Sequence, residues 1–133
     1  MVGGNDDNPG KRIETLRERI KSDGKDGSIE ANDKEILLKF SDELYLRKSE
    51  YSDYRHEKLL RHCVRMAEHV GGLQDSLTDR SAAETLVRWI NKNYDNEETN
   101  RDYRVAIRMF GKRLDEADEV PDSIDWISAN TSR

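Results

Sequence analysis

Four cations, Arg101, Arg104, Arg108 and Lys112, follow one another at spacings of three, four and four residues. On a helix that spacing puts them in one ridge. A second set, Arg55, Lys58, His62 and Arg65, shares a face at spacings of three, four and three, with Arg61 beside it. Guanidinium forks hold phosphate bidentately, and a helix carrying them fits the major groove of a DNA duplex. Anion recognition is therefore the chemistry these residues could do. The expected contacts are Arg55, Lys58, Arg61, His62, Arg65, Arg101, Arg104, Arg108 and Lys112, and the expected partner is double-stranded DNA. The competing reading is a solvated face whose cations pair with acids of neighbouring helices.

Catalytic and metal chemistry find much less support. His62-Cys63-Val64-Arg65 matches a bare H-x-x-R string, but Cys63 and Val64 belong to an apolar stripe in mid-helix, and no partner constellation accompanies them. His56, His62 and His69 are spaced six and seven residues apart, unlike the i, i+4 pair of a helical metal site. The single cysteine excludes an internal disulfide and a multi-cysteine zinc site, and Cys63 reads as a small buried hydrophobe. Neither a phosphate-binding G-x-x-x-x-G-K-[ST] loop nor a G-x-S-x-G elbow occurs. The expectation is no catalytic residue, no metal, no cofactor and no small-molecule substrate.

These 133 residues amount to one domain, or a small domain with a tail. Charged residues make up 38% of the chain and apolar ones 34%, a balance more polar than that of average globular domains. No apolar stretch is long enough to cross a membrane, and the first residues lack the basic and apolar regions of a secretory signal. A soluble, cytoplasmic protein is expected. Net charge is −5, with 15 aspartates against 13 glutamates and 14 arginines against 9 lysines. Short carboxylates hold water and cations well, so this balance suits a protein working in high salt. Global acidity also means that nucleic-acid binding requires a local basic face.

The elements that would position these residues are all helical. Residues 1–31 read as a flexible arm containing a short amphipathic helix, Lys11 to Lys21, with Ile13, Leu16 and Ile20 on one side. Ser22 to Gly27 reads as a linker, and the domain boundary is placed there. Asn32 and Glu35 suggest a capping box for a helix burying Leu37, Phe40 and Leu44 and running to about Lys48. Ser52 caps a second helix, Asp53 to Val70, with Leu60, Cys63, Val64, Ala67 and Val70 inward; Gly71-Gly72 ends it. Ser81 and Glu84 suggest a capping box opening a third helix with Leu86, Val87 and Ile90 inward. Asn96 caps a fourth, whose stripe is Tyr103, Ala106, Ile107, Phe110 and Leu114. Trp89 and Trp126 read as packing anchors, and 119–133 reads as an acidic connector with a last turn at Ser123 to Trp126. The fold expected is all-α, a compact four-helix bundle over 32–118 with appendages.

The fourth helix, from Thr99 through Ile107-Arg108-Met109-Phe110 to Leu114, resembles the T-x-N-x-x-L-x-x-L-R-x-F-x-x-x-L signature of the SAM-like core-binding domain of tyrosine recombinases, the phage-integrase family. Arg101 and Arg104 depart from it. Ser52, Leu60 and Cys63 resemble that family's second-helix pattern, T-x-x-x-Y-x-x-x-L-x-x-F, with His56 in place of Tyr. Thr78-Asp79 to Ile90 resembles the segment before the last helix. The acidic composition, with the run from Tyr94 to Tyr103, looks most like integrase-type proteins of halophilic archaea. The resemblance implies a DNA-clamping domain that works with other recombinase protomers, and a separate catalytic domain for DNA integration or recombination, toward which 119–133 would lead. The other classes open to such a chain are a helical protein–protein interaction module and a standalone small regulator.

Overall fold

The computed structural model describes residues 8–22 and 29–129. Among them it forms seven helices and no strand: α1 (Pro9–Lys21), α2 (Ala31–Leu46), α3 (Asp53–His69), α4 (Leu73–Ser76), α5 (Arg80–Asn93), α6 (Glu97–Leu114) and α7 (Asp122–Asp125). The all-helical class agrees with the apolar periodicity of the sequence. The count of four principal helices does not, because α1 is a fifth long helix in the same core.

Ile13, Leu16 and Ile20 of α1 are buried in one cluster with Leu37, Phe40 and Leu44 of α2, Leu60, Cys63 and Val64 of α3, and Ile107 and Phe110 of α6. α1 packs chiefly against α3. Arg19 of α1 donates to Glu68 of α3 through Nε and Nη2 at 2.7 and 2.6 Å, and Arg17 pairs with Asp42 of α2 at 3.0 Å. The expected boundary between a flexible arm and the core therefore does not describe this structure. The physical reason is the stripe itself: three large apolar side chains on one helix face gain by burial, whatever the polarity of the link beside them. The expected linker, Ser22 to Gly27, lies outside the described residues beyond Ser22.

Local capping follows side-chain chemistry, with two corrections. Ser52 accepts from Arg55 N–H and Asn96 from Thr99 N–H, as their positions predict. Asn32 does not cap α2, which begins at Ala31, and Asp33 is buried in its first turn. There its carboxylate accepts the N–H groups of Leu73 and Gln74 at 3.2 and 3.0 Å, satisfying the first turn of α4. Asp79, not Ser81, caps α5 by accepting from Ser81 N–H. Gly71 and Gly72 end α3 at φ of 85° and 72°, the left-handed region that glycine enters at little steric cost.

The described part of the segment after α6 folds back onto it. Ile124 and Ile127 are buried in the same core cluster as Phe40 and Phe110, whose rings meet edge-on at 5.4 Å. Gly111 makes the approach possible, since a Cβ there would lie 2.9 Å from Pro121 Cδ and 3.0 Å from Ile124 Cδ1. Ser123 Oγ donates to the Ser76 carbonyl at 2.6 Å, and the Arg80 guanidinium lies 4.5 Å above the Trp126 ring. Both tryptophans pack against the core, as expected of anchors. No helix among the described residues is long and apolar enough to cross a membrane.

Candidate functional site

α3 and α6 pack against each other, and their N-terminal halves leave a groove of about 510 Å³ between them. Arg55, Lys58 and His62 line it from α3, and Arg101, Asp102 and Val105 from α6. Leu59 and Val105 supply apolar surface, and Tyr54, 68% exposed, stands on its α3 side. The groove follows from two overlapping periodicities. On each helix one face is apolar and buried, and the cations flank it at i±3 and i±4.

The three cations are in different states. Lys58 Nζ pairs with Asp102 Oδ2 at 3.0 Å across the groove, a partly exposed bridge of modest strength. Arg55 pairs with no carboxylate among the described residues; its guanidinium lies 5.4 Å from the Tyr51 ring centroid. Arg101 makes no hydrogen bond or ion pair with the described residues, and its Nε is buried without an acceptor. A buried N–H without a partner carries a desolvation cost. His62 sits behind them. It is buried, its Nδ1 lies 2.6 Å from the Lys58 carbonyl, and its ring meets Tyr103 edge-on at 4.2 Å. Burial holds its imidazole below the usual 6.5, so at neutral pH His62 shapes the groove and adds no charge to it.

The remaining expected contacts are placed elsewhere. Arg61 turns back to Glu57 on its own helix at 2.9 Å. Arg65 donates to the hydroxyls of Tyr103 at 3.0 Å and Tyr94 at 3.4 Å, and those hydroxyls lie 2.9 Å apart. That cluster joins α3, the end of α5 and α6. The expected ridge on α6 is divided. Arg101 faces the groove, but Arg104 donates to Asn100 Oδ1 at 2.8 Å and to the Ser128 carbonyl. Arg108 donates through Nη1 to the carbonyls of Asp125 at 2.8 Å and Ile127 at 2.9 Å, and its Nη2 lies 3.5 Å from Asp125 Oδ1. The physical reason is that carbonyls at the end of α7 and just beyond it, those of Asp125, Ile127 and Ser128, need donors, and the two guanidiniums beside them serve. Lys112 lies further along α6, outside the groove.

Sequence reasoning passed over Tyr54 and Asp102 as groove residues. The signal was present for Tyr54, an aromatic next to Arg55 and one turn before Lys58. No cluster of His, Cys, Asp or Glu able to hold a metal occurs among the described residues. Cys63 is fully buried, and burial pushes its thiol well above the usual range. Ser41 Oγ and His56 Nε2 lie 2.8 Å apart, but both are sealed in the core, where no substrate reaches them. Protein-family models, curated proteins and solved structures return no match to this chain.

Proposed function

We propose that this chain binds DNA through the α3–α6 groove, as a SAM-like core-binding domain of tyrosine-recombinase type would. The observation that carries the reading is the convergence of Arg55, Lys58 and Arg101 from two helices onto one groove, with a single carboxylate, Asp102, among them. In a chain of net charge −5, such a concentration of cations is a local exception, and a phosphate backbone is the polyanion that fits it. The resemblance of the α3 and α6 patterns to the recombinase family points to the same partner. The chemistry is binding and positioning; strand cleavage belongs, on this reading, to a separate domain.

Fluorescence anisotropy with a labelled DNA duplex, titrated against salt, tests it. Counterion release predicts that log K falls linearly with log salt, with a slope of about 0.9 per phosphate neutralised. Three groove cations therefore predict a slope of about 2 to 3, and replacing Arg55 and Arg101 with glutamine should remove about 2 from it. A flat salt response, or an unchanged slope in the double variant, refutes the reading.

A further inference from the structure

A duplex backbone needs only an exposed row of cations, whereas this groove is concave and partly apolar. Its volume, about 510 Å³, falls in the range of sites that enclose a small organic group. It offers two distinct surfaces. Arg55 and Arg101 form a cationic pair without carboxylate partners among the described residues, and the buried Arg101 Nε lacks an acceptor. Beside them Leu59 and Val105 present apolar surface, and the exposed ring of Tyr54 adds a flat aromatic one. Phosphate and a planar base are the two halves of a nucleotide, and proteins that bind unpaired strands combine a basic groove with aromatic side chains in this way.

We propose that the groove holds one unstacked nucleotide of a DNA strand, its base against Tyr54, Leu59 and Val105 and its phosphate on Arg55 and Arg101. A nucleotide inside a paired duplex is stacked and out of reach, so it would enter from a single-stranded end or a gap. The inference rests on the reading that the chain binds DNA and adds which form of DNA the groove prefers.

The test compares a blunt duplex, the same duplex with a short single-stranded overhang, and oligothymidine, each labelled and bound by the whole chain at one salt concentration. The overhang duplex and oligothymidine should bind about tenfold more tightly than the blunt duplex, and Tyr54→Ala should abolish that preference. Blunt-duplex binding by the same variant is the reference against which that loss is read, while Tyr54→Phe keeps the preference because the ring face is retained. Tyr54 is exposed, so its loss leaves the core intact, which circular dichroism checks. Equal affinity for all three DNAs, or equal weakening of all three by Tyr54→Ala, overturns the nucleotide pocket and leaves DNA binding standing. Absence of binding to every DNA at low salt overturns both.

Discussion

The docking of α1 leads to a sharp energetic prediction. Ile13 is completely buried, on the helix that packs chiefly against α3. Ile13→Ala removes three carbons from a packed site, and such truncations cost about 2–5 kcal/mol, the larger values where the cavity cannot collapse. Helices α1 and α3 are also tied by the Arg19–Glu68 pair, which resists collapse, so the upper half of that range is expected. For a domain of this size each kcal/mol shifts the melting midpoint by roughly 4 °C, so the fall should be about 14–20 °C. Thermal unfolding followed by circular dichroism, with urea midpoints as a second measure, reads it directly. Leu46→Ala is the control, because Leu46 is 77% exposed and should change stability by less than about 0.5 kcal/mol. If Ile13→Ala melts within about 2 °C of the parent, α1 is an independent arm and not part of a single core.

Other substitutions probe the remaining features. Arg108→Ala should cost about 1–3 kcal/mol of stability, since it removes charged donors from the Asp125 and Ile127 carbonyls, and should leave DNA affinity unchanged; loss of affinity without loss of stability would return Arg108 to the interface. Gly111→Ala should be destabilising by about 1–2 kcal/mol in urea titrations, because overpacking against Pro121 and Ile124 outweighs the roughly 1 kcal/mol gained in helix propensity; a stabilised variant would mean the C-terminal segment is not held there. Burial lowers the His56 imidazole from 6.5 to about 4, with Asp53, Arg17, Lys48 and Asp42 as the nearby charges. The unfolded chain therefore binds the extra proton first as pH falls. The stabilisation is complete above pH 6.5 and should decline toward pH 4 by an amount on the order of 3 kcal/mol; urea midpoints should show this slope and a His56→Gln variant should lose most of it. Cys63 should resist thiol reagents in the native state and react only on unfolding, which a kinetic labelling assay with and without urea would show.

Much of the fold was legible in the order of residues because helix formation is local. The stripes at i, i+3 and i+4, the caps at Ser52 and Asn96, and the glycine pair after α3 are short-range signals, and each element they mark is present. The cations at helical spacing and the single buried cysteine were equally readable. What an order of residues leaves open is which faces meet. The stripe of α1 suits either a free amphipathic helix or a core helix, and only the complementary surface of α3 decided for the core. Arg104 and Arg108 continue the spacing of Arg101 without a break, so nothing local separates them. Their division arose when the chain beyond Pro121 turned back over Gly111 and brought its own carbonyl groups to them. Asp33 likewise looks like an ordinary first-turn acid, yet it serves the start of α4 some forty residues on. Polar side chains take the nearest unsatisfied group in space, and which group is nearest is settled by packing between segments distant in sequence.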